Sequence, residues 1–299
     1  MDLKNKNILI TGIHGFIGSN LNKILKKKNK VIGLGNKKIK KKLNNKNKIT
    51  LKNLNKLKFK PDIIFNCAGS GTIREAEKNT VKSKENDLFT TKAILDFANS
   101  LNNKIILVFF SSAAVYGNSF TKLNPISNYG KNKLKSEIYL NKHKNKNINL
   151  IVIRYFSIYG NGLKKQLVWD TCNKIIKNNF DFYGNGKEKR SWLHINDAID
   201  IALLAIKKSQ TTKSTSLTLD GHANNVNTNR EIISKVISLF KFDRIPTFNH
   251  LRDKFTPINQ ISKCHKLKNW RWKSKIDLNF GLKEYVKWFK KQNNYLNLR

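Results

Sequence analysis

The chain of 299 residues is 39% hydrophobic, enough apolar material for one large core or two modest ones without staples. Its three cysteines, Cys67, Cys172 and Cys264, are odd in number and far apart, which excludes a disulfide framework or a paired-cysteine zinc site and points to a reducing compartment. Lys and Arg total 59 against 19 Asp and Glu, a formal charge of +40, but the basic residues are mostly Lys and are spread along the whole chain. They travel with abundant Asn and Ile, so a codon bias toward A and T explains them better than a nucleic-acid stripe, and no specific nucleic-acid partner is expected.

Taken in chain order, β-branched runs predict strands at Ile8–Thr11, Lys30–Leu34, Ile63–Cys67, Ile105–Ser111 and Leu150–Tyr155. Helical patterns lie between them at Phe16–Lys27, Thr80–Leu101 and Tyr129–His143. This alternation is that of an α/β protein with a doubly wound parallel sheet, its ligand at the carboxyl ends of the strands. Asn36–Lys48 is a low-complexity Lys/Asn stretch, expected as a surface connection. Beyond Leu163 the alternation loosens into helices at Gln166–Lys177, Arg230–Phe240 and Asp277–Lys291. Two domains are expected: residues 1–165 bind a dinucleotide, with a segment near 192–207 returning to them, and residues 166–299 form a smaller α/β substrate domain. The longest apolar runs, at Ile8–Ile10 and Ile105–Phe110, fall far short of the about 20 residues needed to cross a bilayer. With no cleavable leader after Met1–Asn7, a cytoplasmic location and no membrane partner are expected.

The strongest local signal is Thr11-Gly12-Ile13-His14-Gly15-Phe16-Ile17-Gly18, directly after the first strand and opening the first helix. Gly12, Gly15 and Gly18 permit a tight turn and a close backbone approach to a pyrophosphate, whose charge meets the free N–H groups of the helix start at Phe16 and Ile17. His14, inside this loop, is expected to pack or face solvent. The G-x-x-G-x-x-G spacing resembles the short-chain dehydrogenase/reductase superfamily, and further matches follow in the right order. They are Asn66-Cys67-Ala68-Gly69, Asn86, Ser111 to Gly117, Pro125 to Lys133, Arg154 to Gly160, and Gly184-Asn185-Gly186 with Arg190 and Asp197. Together they cover nearly the whole chain and resemble the NAD-dependent epimerase/dehydratase family, its UDP-glucose 4-epimerase branch above all.

The resemblance implies a Rossmann fold, NAD bound along Gly12, Gly15, Phe16, Ile17, Gly18, Ala68, Gly69, Lys133 and Phe156, and a nucleotide-sugar substrate. It also implies a homodimer through the helix after Asn86 and the one carrying Tyr129, although the Lys content of the latter works against pairing at low salt.

Tyr-x-x-x-Lys alone carries little weight in so basic a chain, and Tyr183 with Lys187 repeats it by chance in a Gly-rich loop. Tyr129 and Lys133 differ in lying on a predicted helix, where positions i and i+4 share a face. An ammonium there should draw the phenol from its reference of about 10 toward neutrality. Tyr129 is therefore the candidate general base and acid for a sugar hydroxyl. By resemblance, Ser112 hydrogen-bonds the reacting oxygen and Lys133 also holds the cofactor ribose.

Dehydratases of this family carry Asp-Glu after the active-site Ser or Thr, where this chain has Ala113 and Ala114, so water elimination is not expected. Two readings stay open: a 4-epimerase that oxidises C4 transiently, and a reductase of a 4-keto-6-deoxy sugar nucleotide. NAD is expected on family grounds, with NADP as the alternative. The second strand is followed by Gly35-Asn36-Lys37-Lys38 rather than an Asp, and Thr50-Leu51-Lys52-Asn53 stands where an adenine-binding Asp is usual. By resemblance, Arg190, Arg252-Asp253 and Ser157 contact the substrate, and Lys165-Gln166-Leu167 lies under the nucleotide base. No metal site is expected. The competing class is a non-catalytic dinucleotide-binding or RNA-associated protein, for which an intact Ser112, Tyr129 and Lys133 would have no use.

Overall fold

In the computed structural model, which describes residues 3–35, 54, 57–212, 214–262 and 272–293, the β-branched runs form strands β1 (Asn7–Thr11), β2 (Lys30–Leu34), β3 (Ile63–Asn66), β4 (Ile105–Ser112) and β5 (Ile148–Tyr155). Short strands β6 (Ser157–Tyr159), β7 (Asp181–Phe182), β8 (Lys189–Arg190) and β9 (Trp192–His194) follow, then β10 (Ser216–Gly221), β11 (Asn227–Thr228) and β12 (Thr247–Phe248). Six strands make one sheet in the order β10-β5-β4-β3-β1-β2, every pair parallel.

Helices are α1 (Phe16–Leu25), α2 (Ile73–Lys78), α3 (Thr80–Lys84), α4 (Thr90–Asn99), α5 (Asn128–His143), α6 (Gln166–Ile176), α7 (Ile195–Thr211), α8 (Asn229–Leu239) and α9 (Leu278–Gln292). Strands covered on both faces should read as unbroken apolar runs, and Ile8, Leu9 and Ile10 are all fully buried. Because side chains alternate along a strand, Ile8, Ile10, Phe65, Val108 and Ile151 pack with Leu21 and Leu25 of α1 and the apolar side of α7. Leu9, Ile64, Leu107, Leu150 and Val152 pack on the opposite face with Ile94 and Leu95 of α4 and Leu140 of α5. Each such side chain contributes roughly 1.5–3 kcal/mol by burial.

The stretch expected as one helix over Thr80–Leu101 is three pieces: α3, a π turn at Glu85–Phe89, and α4. Helix α2, capped by Thr72, whose side chain accepts from Glu75 N–H, has no apolar period long enough to reveal it. The segment after Trp192 continues through α7 and adds β10 to the edge of the sheet, where the Tyr155 hydroxyl donates to the Ala198 carbonyl at 2.5 Å. A second core joins α6, α8 and α9 through Cys172, Ile233, Val236, Leu282 and Phe289. Among the described residues Cys67 and Cys172 are free thiols, while Cys264, Asn36–Lys48 and Thr50–Asn53 lie outside them. No described helix is long and apolar enough to cross a membrane.

Candidate active site

A cleft of about 1210 Å³ runs along the carboxyl ends of the central strands and is closed on its far side by the loops around residues 183–190 and 250–260. Its cofactor end is built by the turn after β1. Gly12 has φ +63°, and a Cβ there would meet the backbone of Cys67 and Ala68 at 2.9 Å. One on Gly18 would stand 2.4 Å from the Gly12 carbonyl oxygen. The turn therefore closes only with glycine, bringing the start of α1 against the sheet edge. No side chain caps α1 and its first turn holds no acid, so the helix start is suited to an anion. Gly15, Phe16, Ile17 and Gly69 line the cleft. Gly12, Gly18 and Ala68 shape the turn from behind, the Ala68 N–H donating to Thr11 Oγ1 at 3.1 Å. These residues fit a dinucleotide diphosphate. His14 is exposed and lies over Gly35. Lys37 and Lys38 are outside the described residues.

The chemical end is assembled from β4 and α5. Ser112 is the last residue of β4, and its Oγ accepts from the Ala114 N–H at 3.2 Å, starting a short 3-10 turn. Helix α5 is placed on that turn by three contacts: the Ser127 cap accepts from Gly130 N–H at 3.0 Å, Glu77 receives the Asn128 N–H at 2.6 Å, and a Cβ on Gly130 would be 2.4 Å from the Ala114 oxygen. Helix and turn thus touch backbone to backbone, and Tyr129 is delivered beside Ser112. Lys133, one helical turn on, donates from Nζ to the Phe110 carbonyl at 3.1 Å and lies 5.9 Å from the centre of the Tyr129 ring. Ser112, Tyr129 and Lys133 all line the cleft.

The Tyr129 phenol does not have the acidity expected from the sequence. Burial raises its pKa above the ordinary 10, outweighing the pull of Lys133 and of a hydrogen bond with Ser112, while Asp87 and Glu75 push the same way as burial. The ammonium one turn away is visible in the sequence, whereas the desolvation of the phenolate that outweighs it is not.

Behind the site runs a buried polar chain. Ser111 donates to Glu137 at 2.5 Å, and Glu137 receives Arg154 Nη2 at 2.6 Å and Nε at 3.1 Å. Arg154 Nη1 donates to the Tyr116 hydroxyl at 2.9 Å, which donates to Asp220 at 2.7 Å. It links β4, α5, β5 and β10, and of its members the sequence reading included Ser111, Tyr116 and Arg154 as motif positions only.

Phe156, Ser157, Arg190, Arg252 and Asp253 also line the cleft. Arg190 is buried and donates to the carbonyls of Lys189, Pro257 and Ile258 at 2.7–2.9 Å, and desolvation lowers its pKa to about 10. Two of its five donors stay free of these bonds. Asp253 holds its own loop, accepting from Phe255 N–H and the Thr256 hydroxyl; Arg252 is exposed. Lys165 lines the cleft 3.7 Å from Glu75. Tyr183 and Lys187, the chance repeat, lie in a loop near the mouth, Tyr183 being 55% exposed. Asp87 was missed: it neighbours Asn86 in sequence, yet on the π turn it is Asp87 that is buried, 3.7 Å from Lys133. Among the described residues no cluster of His, Cys, Asp and Glu is placed to hold a metal ion.

The chain is similar in fold to the UDP-N-acetylglucosamine 4-epimerase of Methanobrevibacter ruminantium, solved with UDP-N-acetylmuramic acid, at a TM-score of 0.82 and 22% identity over 97% of this chain and 100% of that one. The UDP-glucose 4-epimerase of Thermotoga maritima superimposes with a TM-score of 0.81 at 20% identity, over 96% and 99% of the two chains. In sequence it is 30% identical to an ADP-L-glycero-D-manno-heptose-6-epimerase of Brachyspira hyodysenteriae over 65% of this chain and 70% of the relative. The matched family model spans residues 8–218, from β1 into β10, and takes in the glycine turn, Ser112, Tyr129 and Lys133; the chain belongs to the NAD dependent epimerase/dehydratase family.

Proposed function

We propose that the protein is an NAD-using 4-epimerase of a nucleotide sugar. The observation that carries this reading is the convergence of Ser112, Tyr129 and Lys133 on one wall of a cleft whose other end is a glycine turn that fits a diphosphate. Tyr129 Oη takes the proton of the sugar hydroxyl and returns it after the 4-keto sugar has turned over, while Ser112 Oγ hydrogen-bonds the reacting oxygen in both states. Bound NAD supplies the hydride acceptor and donor. Lys133 Nζ holds the ribose, Gly12, Gly15, Gly18, Phe16, Ile17, Ala68 and Gly69 form the bed of the cofactor, and Phe156 faces it. Ser157, Arg190, Arg252 and Asp253 serve the nucleotide side, Arg190 with the two donors its carbonyl contacts leave. Residues 1–165 with the return through α7 and β10 carry the cofactor, and the remainder of 166–299 carries the sugar nucleotide.

Ala113 and Ala114 leave no carboxylate beside Ser112 to expel a C6 hydroxyl, which supports epimerisation over dehydration. The test is to identify by mass spectrometry the dinucleotide that copurifies, then to incubate the protein with UDP-hexoses. Retained NAD and interconversion of C4 epimers without added cofactor are expected, with Tyr129→Phe inactive but still binding nucleotide. Activity that requires added NADPH and consumes it stoichiometrically would replace this reading with the reductase.

A further inference from the structure

The dinucleotide end of the cleft departs from the usual arrangement at one point, the corner between the glycine turn and the end of β2. In Rossmann sheets an acidic residue about 20 positions beyond the turn binds the 2′-hydroxyl of the adenosine ribose, and its charge would repel a phosphate there. This stretch of the chain has no such acid: between Asp2 and Asp62 the sequence contains neither Asp nor Glu. Asp62 accepts the Asn7 N–H at 2.8 Å, at the amino ends of β1 and β3, the edge of the sheet opposite the cleft.

The space that an acid would take is filled from the other side. Gly33 and Gly35 stand two residues apart, on one face of the strand and its continuation. A Cβ on Gly33 would be 2.0 Å from Ile13 Cδ1, and one on Gly35 would be 2.6 Å from His14 Cδ2 and 3.3 Å from Nε2. The Ile13 N–H donates to the Leu34 carbonyl at 3.2 Å, tying the turn to the strand end. Ile13 and His14 thus lie on bare backbone, Ile13 packing against the first core and His14 staying exposed. A side chain at position 35 and the imidazole of His14 compete for the same volume. His14 therefore occupies the place from which a carboxylate at the end of β2 would face the ribose. It precedes Gly15, the cap residue of α1, which lines the cleft, so the ring stands beside the diphosphate bed.

We propose that His14 is the residue that reads the 2′ position of the adenosine ribose, and that the protein binds the 2′-phosphorylated dinucleotide, NADP, alongside NAD with little discrimination between them. An imidazole can donate to or accept from a ribose hydroxyl and can donate to a phosphate oxygen, whereas a carboxylate only accepts. The first turn of α1 carries no acid either, so nothing on the turn or the helix start opposes the added phosphate. This goes beyond the use of NAD proposed above and is compatible with it. A 4-epimerase returns its hydride within each turnover, so the reaction draws on neither dinucleotide pool and imposes no choice between them.

Calorimetric titration of the nucleotide-free protein with NAD and with NADP tests this. No substrate or turnover enters, so the result is independent of whether the protein is an epimerase. The two dissociation constants are expected to lie within about tenfold of each other. Gly35→Asp, which restores the carboxylate and displaces the ring, should weaken NADP relative to NAD by at least about tenfold, the effect of one unit charge facing another near a protein surface. His14→Glu puts a carboxylate into the same volume without touching β2 and should shift the selectivity the same way; it serves alone if Gly35→Asp fails to fold. His14→Ala should weaken NADP more than NAD. A wild type that prefers NAD by more than about tenfold, unchanged selectivity in either folded acidic variant, or an equal loss of both dinucleotides in His14→Ala overturns the proposal. Binding of neither dinucleotide would overturn the cofactor reading of the cleft, and this proposal with it.

Discussion

Removing Glu137 while leaving Arg154 in place tests how the active-site strand is held. Glu137 and Arg154 are 4% and 6% exposed, and the carboxylate receives Arg154 Nη2 at 2.6 Å, Nε at 3.1 Å and the Ser111 hydroxyl at 2.5 Å. Glu137→Leu has similar bulk, so the loss is electrostatic: an uncompensated guanidinium remains in the interior, which costs about 3–5 kcal/mol. At about 2 °C per kcal/mol for a chain of this size, the melting temperature should fall by roughly 6–10 °C. The double variant Glu137→Leu/Arg154→Met removes both charges and should cost clearly less than the two single changes added, with a coupling of about 1–3 kcal/mol. It should not return fully to wild type, because the Tyr116 hydroxyl also loses the Arg154 donor. Thermal and urea melts of the four proteins close the cycle. A Glu137→Leu protein melting within 2 °C of wild type, or a double variant as unstable as the summed singles, would refute the reasoning.

Three further outcomes follow from the same geometry. Tyr159 has its pKa raised by burial, and among the described residues its hydroxyl has no partner. The unfolded chain releases that proton from about pH 10 while the fold keeps it, so the stability present below pH 10 is lost as pH rises further; Tyr159→Phe should match wild type at pH 8 and retain more of its melting temperature at pH 11, and an equal or larger loss would contradict this. Gly18→Ala forces a Cβ to 2.4 Å from the Gly12 oxygen, backbone on backbone, and should weaken dinucleotide binding at least tenfold, as read by calorimetry; unchanged affinity would dissociate the turn from the cofactor. Phe89 and Ile138 are 54% and 58% exposed on the π turn and α5, in the region through which the family resemblance implies a homodimer, so sizing should show a dimer that strengthens with salt as lysine repulsion is screened and that Phe89→Lys dissolves. A wild type monomeric at high salt would remove the dimer.

Much of the fold was legible because a parallel sheet covered on both faces needs continuous apolar strands, and Ile8–Ile10, Ile63–Phe65 and Ile105–Phe110 are such runs. The glycine turn was legible because its backbone geometry permits no other residue at Gly12 or Gly18. What escaped was whatever depends on residues distant in sequence. Helix α2 is too short to show a period, and β10, reading Ser-Leu-Thr-Leu-Asp-Gly, is half-polar because it is an edge strand. The turn at Glu85–Phe89 reads as ordinary helix, so Asn86 drew notice and Asp87 did not. Arg190 was singled out by resemblance, but its bonds to the 257–258 carbonyls join segments about 68 residues apart and could not be read from the sequence. The Tyr129 acidity was misjudged for the same reason: a helical neighbour can be counted from the sequence, whereas burial cannot.

The charge of the chain also has a structural reading. Among the described residues Lys133 is the only lysine in the interior, so the other described lysines lie toward the surface, where substitution to Lys costs little. The acids behave in the opposite way. From only 19 carboxylates in the chain, Asp87, Glu137, Asp197 and Asp220 are buried, each holding a particular partner: Lys133, Arg154, the Lys275 and Ile276 N–H groups, and the Tyr116 and Ser262 hydroxyls. A compositional drift toward Lys would replace acids wherever that was tolerated, and these four are where replacement would leave a buried donor or charge without its counterpart. Among the described residues the lysines other than Lys133 thus belong to an exterior laid over an interior that keeps its ion pairs. Where that exterior meets the cleft, at Arg74, Lys165, Lys187, Lys189 and Arg252, it raises the local concentration of any diphosphate-bearing ligand without needing a dedicated nucleic-acid surface.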